Sequence, residues 1–83
     1  MTVAALTYIH LGMPPAEANE LTTQINAATS DVGKLIRLGV SVPLANQIAG
    51  AITAKACTVS ELMALGMPGL LAAQVGADID ALV

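Results

Sequence analysis

Three stretches of the chain can be laid under one another: LGMPPAEANELTTQI at residues 11–25, LGVSVPLANQIAGAI at residues 38–52 and LGMPGLLAAQVGADI at residues 65–79. Each begins with Leu-Gly followed by Met or Val. An Ala stands six residues after the Gly, and an Ile stands thirteen residues after it. Successive stretches begin 27 residues apart. Because similarity at a fixed period indicates that one structural unit is used several times, the sequence predicts three tandem units of 27 residues.

Each unit predicts a short helix, a tight turn and a longer helix. Before the Gly, apolar residues recur at helical spacing, as in Leu35 and Leu38. Asp31 stands where it can cap the short helix of the second unit, and Thr58 with Glu61 has the pattern of a capping box in the third. Gly suits the position after the end of a helix because it adopts positive φ at little steric cost. Pro then breaks the first helix and is tolerated in the first turn of the next.

The long helix of each unit carries apolar residues three and four positions apart, which places them on one face. We expect this face to form a shared core, built from Leu21, Ile25, Ile48, Ile52, Val75 and Ile79. No alternating apolar pattern bounded by hairpin turns predicts a strand. The expected fold is therefore all-α, with three helix-turn-helix hairpins and about six short helices. They form a single domain, 1–83, whose units cover about 2–28, 29–55 and 56–83.

The turns leave two alternatives open. The apolar residues after each Gly either point inward, as plugs that join the two helices, or lie on the surface as a contact site. Binding sites are found on loops more often than on packed helix faces, so we consider the turns as an interface. The residues concerned are Gly12, Met13, Pro14, Pro15, Gly39, Val40, Gly66, Met67 and Pro68.

Composition narrows the choice of partners. Of 83 residues, 55% are apolar and only 11% are charged. A chain this short hides a limited area, so the surplus predicts exposed apolar patches and contacts with other proteins, including further copies of itself. Three basic against six acidic side chains leave no basic surface for phosphate, and we expect no nucleic-acid partner. The longest uncharged stretches contain Gly, Pro and Gln and fall short of the roughly 20 predominantly apolar residues of a membrane span, so we expect no membrane partner.

No set of residues has catalytic or metal-binding spacing. His10 has no further ligand at helical spacing, and a metal site needs at least three protein ligands. The single cysteine, Cys57, excludes an internal disulfide and is interpreted as a small, partly buried residue. Asp78 and Asp80 are interpreted as a solvated acidic helix end. We expect no catalytic residue, no metal and no cofactor, and hence a protein that is not an enzyme.

The run from Leu11 to Pro15, followed by Ala18 and Asn19, resembles a short helical motif found near the N-termini of tailed-bacteriophage structural proteins, among them head-fibre and other virion appendage proteins. Residues 45–48 and 65–68 continue the match in the second and third units. In that family a fibrous or repetitive region usually follows the motif. No such region follows Val83 here, so we expect an accessory piece of a particle rather than a host adhesin.

The resemblance implies a structural component of a bacteriophage virion, such as a small head decoration or cement protein, or the base of a head fibre. The implied partners are other virion structural proteins of the capsid, neck or fibre. The implied location is the virion, after synthesis in the cytoplasm of the bacterial host. The alternative is a small helical protein–protein interaction module that is not part of a particle.

Overall fold

A glycine turn separates a short helix from a long one three times along the chain. The computed structural model describes residues 2–82, and this part of the chain contains six helices and no strand. The helices are α1 (Ala5–His10), α2 (Pro15–Ala27), α3 (Val32–Arg37), α4 (Val42–Ala54), α5 (Val59–Ala64) and α6 (Gly69–Asp80). We call α1 with α2 hairpin 1, α3 with α4 hairpin 2, and α5 with α6 hairpin 3. The predicted all-α class is confirmed, whereas the 27-residue repeat and the division into units stay predictions.

The short helices end in the Schellman arrangement, in which two backbone N–H groups beyond the helix bond to carbonyls of its last turn. In hairpin 1, Gly12 N–H donates to Ile9 O and Met13 N–H donates to Tyr8 O, each over 3.0 Å. The φ angle of Gly12 is +107°, which residues with a Cβ rarely adopt. Equivalent bonds and φ angles of +110° and +109° occur at Gly39 and Gly66.

Two predicted helix caps have different outcomes. The side chain of Asp31 accepts a hydrogen bond from Lys34 N–H at 3.1 Å, so it caps α3 as predicted. Thr58 occupies the N-cap position of α5, but its side chain makes no capping bond, and the capping-box prediction is wrong. The Glu61 carboxylate bonds elsewhere: it accepts a hydrogen bond from the Gln47 amide of α4.

The three hairpins close into a ring. Each helix contacts the next along the chain, and α6 returns to contact α1. The resulting dimensions are 28 × 24 × 23 Å, whereas repeats that contact only their neighbours in sequence build elongated stacks. The shared core lies inside the ring, where Leu21, Ile25, Ile48, Ile52, Val75 and Ile79 are each at most 1% exposed.

The end of each hairpin opposite the glycine turn is held by a polar contact between residues 23 positions apart. In hairpin 1, Val3 N–H donates to Asn26 Oδ1 over 2.7 Å, and the Asn26 amide donates back to Val3 O over 3.0 Å. In hairpin 2, the hydroxyls of Ser30 and Thr53 lie 3.3 Å apart and share a hydrogen bond. In hairpin 3, Cys57 N–H donates to Asp80 Oδ1 over 2.8 Å. Each short helix is therefore tied to its long helix at both ends.

The C-terminus of α2 places a residue with a side chain where Gly is preferred. Ala28 follows the helix with φ +53°, in the left-handed region. Its N–H donates to Ile25 O, and Thr29 N–H donates to Gln24 O, each over 3.0 Å. An L residue in this conformation carries a steric cost that Gly avoids.

We expect Ala28→Gly to raise the free energy of unfolding by about 0.5–1 kcal/mol, because it removes that cost. Ala73→Gly, at an exposed position in the middle of α6, is the matched control and should lower it by about 0.5–1 kcal/mol. Urea denaturation followed by circular dichroism measures both. If Ala28→Gly destabilised the protein as much as Ala73→Gly does, the left-handed helix end would be wrong.

Helices α5 and α6 leave no room between them for a side chain at Gly76. A Cβ at this position would lie 2.7 Å from Cγ2 of Val59, which is shorter than any ordinary carbon–carbon contact. Val59 is β-branched and has little freedom to turn away. The packing of hairpin 3 therefore requires a residue without a side chain at position 76. By contrast, a Cβ at Gly50 in α4 would meet no atom within 4 Å.

The two substitutions Gly76→Ala and Gly50→Ala should therefore have opposite effects. Gly50→Ala should raise the free energy of unfolding by about 0.5–1 kcal/mol, because Ala favours the helix. Gly76→Ala should lower it by about 1–3 kcal/mol, because the core becomes overpacked. In a Val59→Ala background the cost of Gly76→Ala should largely disappear, and a double-mutant cycle measures this coupling. A stabilising effect of Gly76→Ala in the unaltered chain would contradict the close approach.

Candidate functional site

The apolar residues that follow the turn glycines are buried. Met13, Val40 and Met67 are 6%, 7% and 5% exposed, and all three belong to the core. The Schellman turn explains this, because it commonly brings the residue after the Gly against the last turn of the preceding helix. Of the two alternatives left open above, the inward plug holds for these three side chains, and they are not surface contacts. The other turn residues, Gly12, Pro14, Pro15, Gly39, Gly66 and Pro68, are exposed.

The apolar surface at the turns comes instead from residues that flank them. Seven large apolar side chains in the described part of the chain are exposed, and six of these lie within four residues of Gly39 or Gly66. We call Ile36, Leu38 and Val42 turn patch 2, with exposures of 36%, 39% and 53%. We call Met63, Leu65 and Leu70 turn patch 3, with exposures of 50%, 37% and 77%.

Hairpin 1 does not have a comparable surface. The residues that occupy the equivalent positions before its turn, Ile9 and Leu11, are partly buried against the core. Pro15 stands where hairpin 2 has Val42. The exposed large apolar residue of hairpin 1 is Leu6, 59% exposed and located at the far end of α1 from the turn. The three hairpins thus share a backbone plan but differ in the surface that they offer to a partner.

A buried polar pair joins the first helix to the last. The Tyr8 hydroxyl donates a hydrogen bond of 2.6 Å to Asp78 Oδ2, and Gln74 Nε2 donates one of 3.0 Å to Asp78 Oδ1. Tyr8 is fully buried and Asp78 is 9% exposed. Burial raises the pKa of Tyr8 far above its ordinary value, and the hydrogen bond to Asp78 and the negative charge of Asp78 raise it further. The pair is inaccessible to a substrate, and its effect is to fasten α1 to α6.

Asp78 is thus not part of a solvated acidic end, and that interpretation was wrong. Asp80 is exposed, but its carboxylate accepts the Cys57 N–H described above. The sequence contained a signal that Asp78 is buried. Asp78 lies three residues after Val75, and this spacing puts both residues on the inner face of the helix. The same signal applies to Gln24, three residues after Leu21, which is also buried.

An open groove of about 280 Å³ runs between α2 and α3. The side chain of Gln24 lies in it and donates hydrogen bonds to Glu20 Oε2 at 2.9 Å and to Asp31 O at 3.2 Å. Asp31 N–H donates in return to Gln24 Oε1 at 3.1 Å. These polar groups bond to one another and thereby join hairpins 1 and 2, as Tyr8 and Asp78 join hairpins 3 and 1.

His10 and Cys57, the remaining candidates for a catalytic or metal-binding role, do not form a common site. His10 lies exposed in the last turn of α1. Cys57 is partly buried, and burial together with the nearby Asp80 and Glu61 carboxylates raises the pKa of its thiol, which disfavours the reactive thiolate. Residues 2–82 hold no cluster of three or more His, Cys, Asp or Glu suited to a metal ion. None of the helices in this range has the length and apolar character needed to cross a membrane.

Comparisons of the chain with protein-family models, with curated proteins and with solved structures gave no match.

We expect Tyr8→Phe to lower the free energy of unfolding by about 1–3 kcal/mol at neutral pH, because Asp78 stays buried with one partner fewer. The substitution should also change how the free energy of unfolding depends on pH. Above about pH 10 the unfolded chain loses the phenol proton, whereas the folded chain, with its raised pKa, retains it. The contribution of Tyr8 to stability is thus complete below pH 10 and falls by about 1.4 kcal/mol per pH unit above it.

Urea denaturation of the unaltered chain and of Tyr8→Phe between pH 8 and pH 12 measures this difference in stability. Because Tyr8 is the single tyrosine of the chain, the ultraviolet absorbance of tyrosinate reports its ionisation directly. The absorbance should appear together with unfolding. Ionisation of Tyr8 near pH 10 in the folded protein would contradict the buried pair.

Proposed function

We propose that the chain is a non-enzymatic structural component of a bacteriophage virion, a small head decoration or cement protein or the base of a head fibre. It acts through protein–protein contacts at turn patches 2 and 3. The observation that carries this proposal is the concentration of exposed large apolar side chains beside two of the three glycine turns. We propose a virion as the assembly because the Leu-Gly-Met-Pro motif resembles a motif of phage structural proteins.

The physical argument for contact begins with the cost of leaving apolar surface in water. Covering apolar surface is favourable by about 25 cal/mol per Å². Scattered single exposed apolar residues are common on soluble proteins, but clusters of them mark interaction sites. Turn patch 2 brings together three such side chains within seven residues of sequence, and turn patch 3 does so within eight.

The ring supplies rigidity to these patches. Leu35 and Val40 anchor the turn of hairpin 2 in the core, and Leu62 and Met67 anchor that of hairpin 3. A side chain that flanks an anchored turn loses little further freedom when it is covered, so binding carries a smaller entropic cost. This suits a protein whose task is to hold a fixed position on a larger assembly.

The two patches differ in electrostatic surroundings. Lys34 and Arg37 are exposed on α3 beside turn patch 2. By contrast, turn patch 3 lies within residues 62–77, which contain no charged side chain. Turn patch 2 therefore suits an apolar partner surface with acidic groups at its rim. The partner that we propose for it is a capsid, neck or fibre protein of the particle.

Substitution of exposed residues by Glu tests the contact without disturbing the fold. Val42, Leu70 and Leu6 are each more than half exposed and each lies in the first turn of its helix, where a negative charge is favourable. We expect Val42→Glu and Leu70→Glu each to reduce binding to the particle about tenfold or more, because a carboxylate covered without a partner is costly. Leu6→Glu is the matched control and should bind as the unaltered chain does.

Co-sedimentation with phage particles assembled without this chain measures the bound fraction. If the unaltered chain stays in the supernatant at all concentrations, the virion proposal is contradicted, and the interaction module that is not part of a particle becomes the better account. Equal loss of binding in all three variants would show that the two turn patches are not the contact surface.

A further inference from the structure

The segment that joins hairpin 1 to hairpin 2 holds a residue in a strained conformation. We call Ala28, Thr29 and Ser30 the hinge; it lies between the end of α2 and Asp31, the cap of α3. The turns within the hairpins meet positive φ with Gly, whereas the hinge meets it with the side chain of Ala28, at φ +53°. A short hinge under strain favours the exchange of an element between copies of a protein, because opening the hinge releases the strain.

The hinge has room to change shape. It borders the open groove between α2 and α3, which is lined in part by Ala27, Thr29 and Asp31. Ala27, Ala28 and Thr29 are exposed, and none of the hinge residues belongs to the core. The hinge can therefore straighten without displacing a core side chain of its own.

Hairpin 1 is held together from within. Helix α1 contacts α2 more extensively than either helix contacts another hairpin. The turn at Met13 and the two hydrogen bonds between Val3 and Asn26 tie these helices at both ends. Hairpin 1 meets the rest of the ring mainly at two seams, α1 with α6 and α2 with α3. Within the described chain, the hinge is the covalent link between hairpin 1 and the rest of the ring.

Both seams of hairpin 1 are complementary to the same surfaces on any other copy of the chain. Tyr8 can donate to Asp78 of a second copy, and Gln24 can bond to the backbone of Asp31 there, with the geometry that these pairs have within one chain. From Ala27 to Asp31 an extended hinge spans about 13–14 Å. This exceeds the roughly 8–10 Å between the axes of packed helices, so α2 of one copy can reach α3 of another.

We propose that two copies of the chain exchange hairpin 1, so that hairpin 1 of each copy closes the ring of the other while both hinges are extended. The exchanged dimer keeps the core and both seams. It differs from the monomer in the release of strain at two Ala28 residues and in the entropic cost of association, so its share rises with protein concentration. This goes beyond the proposed function and does not depend on it, because it involves none of the residues of turn patches 2 and 3.

Refolding of the purified full chain from urea over a range of concentrations, followed by sedimentation-velocity ultracentrifugation, tests the exchange. We expect a dimer of twice 8.3 kDa whose share grows with concentration. Ala28→Gly should raise the dissociation constant of this dimer about 5- to 30-fold, because it removes the strain of the monomer at two hinges per dimer. Ala28→Val should lower the constant at least about fivefold, because β-branched residues are disfavoured at positive φ.

Ala73→Gly and Ala73→Val are the matched controls. Position 73 is exposed in the middle of α6, outside the hinge, and both substitutions should leave the dissociation constant of the dimer unchanged. Circular dichroism melting of each variant shows whether it is folded. If Ala28→Val does not fold, the comparison of Ala28→Gly with Ala73→Gly decides the outcome.

Isotope-edited nuclear magnetic resonance distinguishes an exchanged dimer from a dimer of two closed rings. In a dimer refolded from equal amounts of labelled and unlabelled chains, nuclear Overhauser effects should connect the Tyr8 ring of one copy with α6 of the other. A monomer at all concentrations overturns the proposal. So does a dimer whose Tyr8 contacts α6 of its own chain alone, or one whose dissociation constant is the same with Ala, Gly and Val at position 28.

Discussion

The backbone hydrogen bond from the residue after each turn glycine back to the short helix is the interaction on which the rest of the structure depends. Met13 N–H, Val40 N–H and Met67 N–H each donate to the carbonyl five residues earlier. The bond requires positive φ at the preceding Gly, stops the short helix, and carries the Met or Val side chain into the core. The chain has no Phe or Trp, so the volume that aromatic residues supply in other small domains has to come from many aliphatic side chains. The turns contribute three of them.

Closure of the ring is the second constraint. The junctions between hairpins are chemically different although the backbone plan is shared: Gln24 pairs with the backbone of Asp31, Gln47 bonds to Glu61, and Tyr8 bonds to Asp78. The last of these is the one that joins residues with no chain connection nearby, since the two helices concerned begin and end the fold. A buried polar pair is directional and therefore favours one mutual arrangement of α1 and α6, whereas apolar packing tolerates several.

Periodicity in the sequence was sufficient to predict the helices, the turns and the six core residues of the long helices, because a helix face is determined by local spacing. It was not sufficient to decide the direction of Met13, Val40 and Met67, since an apolar residue after a Gly suits a plug and a surface contact equally well. The role of Asp78 depends on Tyr8, which is 70 residues away in sequence, and no local pattern contains that information. Thr58 had the right neighbours for a capping box, but Glu61 bonds to Gln47 instead, a contact between hairpins that local rules do not include.

The distinction between plugs and flanking residues also decides where the surface of the protein is apolar. Side chains directly after the glycines stabilise the hairpins, and those a few positions to either side form turn patches 2 and 3, which leaves hairpin 1 without a large apolar contact surface at its turn. The turns of hairpins 2 and 3 are therefore better suited to attachment than the turn of hairpin 1, which lacks exposed large apolar side chains. Attachment to a virion is our proposal, and it rests on the resemblance of the Leu-Gly-Met-Pro motif to phage structural proteins.

Hydrogen–deuterium exchange of the chain, free and bound to phage particles, tests this account most directly. Binding through the two turn patches predicts slower exchange at the starts of α4 and α6, in residues 41–46 and 68–73, with unchanged exchange at the start of α2, in residues 14–19. Slower exchange confined to residues 14–19, or identical exchange in the free and bound chain, would contradict it.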